Sequence, residues 1–257
     1  MSTTTTATVH AIVEQRIARV TLDRPPLNII DIPMTQALAA VLDDVLPRVD
    51  VLIFRGAGAK AFSAGVEVRD HVPERVKEML EKFHRIFRRL ARAKCLTIAG
   101  VHGHCLGGGC ELATFCDFVV ATESATFGQP EIKLGCFPPV AMLTFPRLCG
   151  LRAALDLILT GRVISAHEAQ QLGLVTRVVP DDRLDDGVNR LVEELRALSP
   201  KVLELTRGAL RHNRDISFER QLDAVEEFYL SELMKTEDAA EGIRAFLEKR
   251  APVWRGR

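Results

Sequence analysis

Apolar and polar residues alternate along "TVHAIVEQRIARVTLDRP", residues 8–25. A period of two predicts two short strands around a polar turn, and Pro25 and Pro26 end the second. The spacing then changes to three and four at Met34, Leu38, Val41, Leu42 and Val45. That predicts a helix, with Asp31 placed to cap it. "VDVLIFRGAG" is a short apolar run closing on Gly56 and Gly58, the pattern of a buried strand. "KAFSAGVEVRDHVP" (60–73) carries neither period and reads as a loop. From Pro73 a long helix is expected, with Met79, Phe83, Ile86, Phe87 and Leu90 on one face. "CLTIAGVHG" is a second buried strand, which Gly107–Gly109 turns into the helix "CELATF". "DFVVATESATFGQP" reads as strand, turn and short strand.

Strands alternating with helices predict an α/β domain. No sequence repeat is visible. The last hundred residues read as almost wholly helical. Ser165 and Glu168 form a capping box, and Gly173 ends that helix. "LVEELRAL", "KVLELTRGAL", "ERQLDAVEEFYLSELM" and "AAEGIRAFLEKR" are each amphipathic. The expected division is an α/β core over 1–195 and a helical region over 196–257. The apolar faces of that region pack on the core or on a partner subunit. Tyr229 and Trp254 are expected to pack in this tail. Residues 1–8 are expected to be loose.

Composition narrows the function classes. Of the 257 residues, 47% are apolar and 26% charged, enough for a substantial core. Lys plus Arg and Asp plus Glu balance at 34 each, so nothing points to nucleic acid or an anionic membrane. "MSTTTTATVH" lacks the apolar stretch of a signal peptide, and no apolar run reaches membrane-spanning length. The expected compartment is the cytoplasm. All six cysteines lie between Cys95 and Cys149 without a C-x-x-C pair, and read as reduced buried thiols. "HGH" places His102 and His104 on one strand face with no third ligand, so no metal is expected. His71 and His104 lie near the glycine-bearing loops and read as surface or supporting groups.

The glycine run in "GHCLGGGCEL" (103–112) carries the candidate chemistry. A phosphate loop would need G-x-x-x-x-G-K-[ST], and no lysine follows. "GHCLGG" has dinucleotide spacing but sits far along the chain. The hydrolase elbow G-x-S-x-G is absent. The remaining use is an oxyanion site. N–H groups at a helix start are free, and glycine lets a ligand approach them. An oxygen gaining negative charge would be stabilised there. A second donor is expected from "FSAGVEV". Glu111 follows the glycines, and Glu131 sits in "FGQPEIKLG". Singly, each is an ordinary helix-start or solvated residue. Beside an oxyanion loop, the pair suggests general acid–base work on a carbon–carbon double bond and water.

"KAFSAGVEV", "GHCLGGGCELATFCD", "ATFGQPEIKLG" and "LTGRVISAHEAQQLGLV" resemble the crotonase superfamily, the enoyl-CoA hydratases and isomerases. The likeness runs over nearly the whole chain. It implies a spiral of β-β-α units followed by a C-terminal helical trimerisation region, and a homotrimer or dimer of trimers. It implies oxyanion donors at the N–H groups of Val66 and Gly108, and catalytic carboxylates at Glu111 and Glu131. It implies that Leu27, Ala64, Val66, Glu67, Val68, Arg69, Gly107, Gly108 and Pro139 line the acyl-CoA site. Coenzyme A is then part of the substrate, and no separate cofactor is expected.

The sequence departs from the usual pattern in places. "GVE" (65–67) stands where "GAD" is usual, which keeps the N–H but narrows the pocket. "CFPPVAMLTFP" stands where a glycine-rich turn is usual, and Pro139 stiffens the wall. "GQPEIKLGCFPPVA", "VRDHVPERVKEML" and the segment from Leu222 to Trp254 resemble the cyclohexa-1,5-diene-1-carbonyl-CoA hydratases. That implies water addition giving a 6-hydroxycyclohex-1-ene thioester. The alternatives are a straight-chain enoyl-CoA hydratase of β-oxidation type and a non-catalytic RNA-binding or scaffold member of the fold.

Overall fold

The computed structural model describes residues 1–212 and 218–255. The threonine-rich N-terminus is not loose but forms β1 (Ser2–Thr5). Its residues pair antiparallel with β2 (Val9–Glu14), from Ser2 opposite Val13 to Thr5 opposite His10. Threonine is β-branched and suits a strand, yet with its side chains mostly exposed the segment shows no apolar alternation. The hairpin of β2 with β3 (Ile17–Leu22) forms as expected around Gln15 and Arg16. Asp31 caps α1 (Ile32–Val45), its carboxylate accepting the Met34 N–H at 2.9 Å.

A β-β-α turn then repeats. β4 (Val51–Gly56) and β5 (Ala61–Ser63) lead to α2 (Val76–Arg92). β6 (Leu96–Val101) and β7 (His104–Leu106) lead to α3 (Gly108–Phe115). β8 (Phe118–Thr122) and β9 (Thr126–Gly128) lead through a 3₁₀ turn, Pro130–Leu134, to α4 (Pro139–Leu148) and α5 (Gly150–Thr160). β10 (Val163–Ser165), α6 (Ala166–Gln171), β11 (Arg177–Val179) and α7 (Leu184–Arg196) follow. The chain closes with α8 (Pro200–His212), α9 (Phe218–Ser231) and α10 (Glu237–Leu247).

Each turn of this spiral sends its long strand to one sheet and its short strand to another. The seven-stranded sheet runs β1-β2-β3-β4-β6-β8-β11, and the four-stranded sheet runs β10-β9-β7-β5. Three expectations change here. The segment 60–73 holds β5 and a 3₁₀ turn over Val68–His71, and α2 starts at Val76 rather than at Pro73. β10 and β11 interrupt the helical C-terminal part.

The central strands are apolar throughout because both faces are covered. Leu52 and Phe54 of β4 join the core shared with α1, α2 and α3. Val51 and Ile53 face the other way, into a second core with Leu184, Val188, Leu191 and Val192 of α7. α9 packs on α2 and α4, while α10 packs on the turns Val68–His71 and Pro130–Leu134. Gly242 permits that approach, since a Cβ there would lie 2.3 Å from Leu134 O. Tyr229 of α9 is buried as expected, whereas Trp254 is 47% exposed.

Candidate active site

The loop after β5 is held from behind by Asn28. Its buried Nδ2 lies within 2.9–3.2 Å of the carbonyls of Ala57, Ala61 and Phe62. Ser63 Oγ donates to Asn28 O, and Ala64 N to Leu27 O. Ile30 N donates to Gly65 O, and Glu67 N to Ile30 O. These bonds turn the N–H of Val66 away from Ile30, and it has no acceptor among the described residues. Gly108 opens α3, so its N–H lies outside the helical ladder and is also free among them.

Glycine lets the two loops meet. A Cβ on Gly65 would lie 3.6 Å from Gly108 N, and one on Gly108 would lie 2.6 Å from Val66 Cγ2. Gly107 has φ +53°, and a Cβ there would lie 2.6 Å from Glu131 Oε1. The structure thus gathers Val66, Gly107, Gly108 and Glu131, as the sequence suggested.

Glu111 is 2% exposed on α3. Its Oε1 accepts the N–H groups of Val140 at 2.8 Å and Ala141 at 2.9 Å, the first turn of α4. Burial pushes its carboxyl up to about 7, against the pull of those two N–H groups. Glu131 is half-buried as a residue, but its Oε2 is shut off from solvent and has no partner among the described residues. Burial and then the charge of Glu111 push it up to about 8. Neither carboxyl is an ordinary surface acid, and each raises the cost of ionising the other.

Pro139 is the first residue of α4 and is buried. A first-turn proline sacrifices no helical hydrogen bond, so "PPVA" presents the next two N–H groups to Glu111. Sequence reasoning took Pro139 as a wall and missed this role for Val140 and Ala141. It also missed Asn28, whose signal was a polar residue between "PPL" and "IID".

Leu27, Ala64 and Val68 are half-buried around this loop. Arg69 is exposed on the Val68–His71 turn. Glu67 turns toward protein groups: its carboxylate accepts Arg69 N at 3.4 Å and lies 3.8 Å from Arg24. Burial lowers His71, whose Nδ1 lies 3.1 Å from Glu67 O. His104 is exposed and meets Thr126 Oγ1 at 3.1 Å. A groove of about 1010 Å³ lies elsewhere, lined by Arg16, Arg89 and Arg92 among others. Each of those arginines is already ion-paired, and no candidate residue lines the groove.

Known proteins share this architecture. The profile of the enoyl-CoA hydratase/isomerase family matches residues 13–257. The cyclohexa-1,5-dienecarbonyl-CoA hydratase of Thauera aromatica is 35% identical over 243 residues, covering 94% of this chain and 93% of that protein. A probable enoyl-CoA hydratase of Mycobacterium tuberculosis (strain CDC 1551 / Oshkosh) is 38% identical over 251 residues, 93% of this chain and 94% of the other. The crystal structure of carnitinyl-CoA hydratase from Mycobacterium avium matches with a TM-score of 0.86 at 31% identity, covering 98% of this chain and 100% of that one. With its spiral of β-β-α turns and a profile match over almost its whole length, the chain belongs to the enoyl-CoA hydratase/isomerase family.

Proposed function

We propose that this protein is a hydro-lyase that adds water to a carbon–carbon double bond of an unsaturated acyl-CoA. The proposed substrate is cyclohexa-1,5-diene-1-carbonyl-CoA, and the product 6-hydroxycyclohex-1-ene-1-carbonyl-CoA. The observation that carries the reading is the pair of buried, raised carboxyls, Glu111 and Glu131, beside the free N–H groups of Val66 and Gly108. The likeness to the Thauera aromatica enzyme supports the cyclic substrate.

The thioester carbonyl sits between the N–H groups of Val66 and Gly108. They stabilise the enolate-like charge that develops as water adds. Two backbone N–H groups favour the charged form of Glu111, so it ionises first and takes the proton of the attacking water. Glu131, whose Oε2 has no such donor among the described residues, keeps its proton and gives it to carbon. The half-buried residues Leu27, Ala64 and Val68 line the thioester's path, with Arg69 toward the charged end of coenzyme A.

The protein is proposed to act as a homotrimer or a dimer of trimers. Leu151, Leu155 and Leu159 are 47–62% exposed along one face of α5, an apolar stripe that assembly would cover. The cytoplasm is the proposed compartment; the six cysteines are free thiols, five of them buried.

The test is a comparison of kcat/KM for cyclohexa-1,5-diene-1-carbonyl-CoA and for crotonyl-CoA on one preparation. The cyclic thioester should be preferred by at least about tenfold, a difference of about 1.4 kcal/mol. Preference for crotonyl-CoA would transfer the assignment to a straight-chain hydratase. Turnover of neither, with RNA retained on a filter at low and moderate salt, would support the binding-protein alternative.

A further inference from the structure

Tyr229 on α9 is 1% exposed. Its ring meets Phe137 edge-on, with centroids 4.9 Å apart. Phe137 lies between the turn that carries Glu131 and the helix start that holds Glu111. A buried tyrosine hydroxyl normally finds a hydrogen-bond partner, because losing water without one is costly. Among the described residues the one candidate for this hydroxyl is the Cys136 thiol, and that contact falls short of hydrogen-bond geometry. The Cys136 thiol is beside it but is directed at Leu134 O, 3.7 Å away. A thiol is a weak partner in any case.

Burial keeps this hydroxyl protonated, and Cys136 beside it, then Glu131 and Glu111, act in the same direction. Glu131 Oε2 is likewise buried and unpartnered among the described residues. A hydroxyl oxygen on a ligand has both a lone pair to accept from a phenol and a proton to donate to a carboxylate. Packing against Phe137 alone would be served equally by phenylalanine.

Resting on the hydratase reading above, we infer that Tyr229 is a substrate-binding residue whose hydroxyl donates to the oxygen added to the acyl group. It thereby makes the site distinguish hydroxyacyl thioesters from their deoxy counterparts. No bond is made or broken at the phenol.

Tyr229→Phe deletes one oxygen and tests this. Calorimetry would give the affinities of both proteins for 3-hydroxybutyryl-CoA and butyryl-CoA. Hydration kinetics and thermal midpoints would be measured alongside. The wild type should favour the hydroxyacyl thioester, and the variant should lose that preference by about tenfold, the size of one hydrogen bond. Affinity for butyryl-CoA should hold, and kcat/KM should fall by a similar factor. The thermal midpoint should barely change, since the free protein gives up only a weak contact with the Cys136 thiol. An unchanged affinity ratio would overturn the inference. So would a lowered midpoint with equal weakening of both ligands, which indicates a packing role. If the wild type binds both thioesters but hydrates nothing, the hydratase reading fails alone and the affinity ratio still decides Tyr229. Binding of neither thioester sinks both.

Discussion

Glu111 Oε1 accepts the N–H of Val140 at 2.8 Å, across 29 positions of sequence. A helix start therefore supports one carboxylate of the pair, while Glu131 has no such donor at Oε2. The N–H groups of Val140 and Ala141 favour ionising Glu111 before Glu131. Water addition needs one acid charged and the other protonated. The profile of kcat/KM against pH should thus be bell-shaped, rising as the first carboxyl of the pair ionises and falling as the second does, both above the ordinary carboxyl range. Stopped-flow or absorbance assays from pH 5 to 10 would check it, and a flat profile across that range contradicts the assignment.

Glutamine keeps the shape of glutamate without a titrating oxygen. Glu111→Gln and Glu131→Gln should each lower kcat by about 10²–10⁴, with KM changed far less. Circular dichroism would establish that both variants fold. Near-wild-type turnover in both would remove the carboxylates from the mechanism.

The same burial affects stability, with a definite sign. Glu131 goes from 4.5 unfolded to about 8 folded. Between those values the unfolded chain has released a proton that the native state keeps, so stability falls as pH rises. Below about pH 4 both states are protonated and the effect vanishes. Glu131→Gln abolishes this titration. Its stability relative to wild type should grow from pH 5 to pH 8 by at least about 1 kcal/mol. Denaturant midpoints at four pH values would show the trend, and a gap that shrinks toward pH 8 would contradict it.

Gly107 tests the geometry independently of titration. Its φ of +53° disfavours side chains, and an added Cβ would press on Glu131 Oε1 at 2.6 Å. Gly107→Ala should cost about 1 kcal/mol in backbone strain and lower kcat by at least about tenfold. Steady-state kinetics with a thermal melt would separate the two effects. Unchanged kcat would mean that Glu131 does not act from its observed position.

What the sequence revealed depended on distance along the chain. The Asp31 cap, the Ser165–Glu168 box and the apolar faces of α1 and α2 are local, and they appear where the spacing placed them. β5, β7 and β10 have three residues each, too few to show a period. β1 shows no apolar alternation because its partner supplies backbone hydrogen bonds rather than a core. The positions of Glu111 and Glu131 were legible through their glycine-bearing motifs. The N–H groups of Val140 and Ala141 were not, because "CFPPVA" reads as a turn until Pro139 is seen at a helix start.

One long-range pair shows how the helical C-terminal part is fastened. Arg207 of α8 is 7% exposed, and its Nε donates to Asp117 Oδ2 at 2.7 Å. Its other nitrogens donate to the carbonyls of Ala93 and Leu90. Asp117 Oδ2 also accepts the Thr97 N–H and hydroxyl, each at 2.8 Å. Arg207→Ala removes the charge partner of a largely buried carboxylate and the bonds to two carbonyls, so it should cost roughly 3 kcal/mol. Arg92 offers the contrast. It pairs with Glu219 at 2.6 Å, but its side chain is 72% exposed. Water and salt screen such a pair, and Arg92→Ala should cost less than about 1 kcal/mol. Urea unfolding of both variants decides the matter. Equal losses would mean that burial, not the bonding itself, has been misjudged at Arg207. A loss at Arg207 without any change in kcat would separate anchoring of α8 from the chemistry at Glu111 and Glu131.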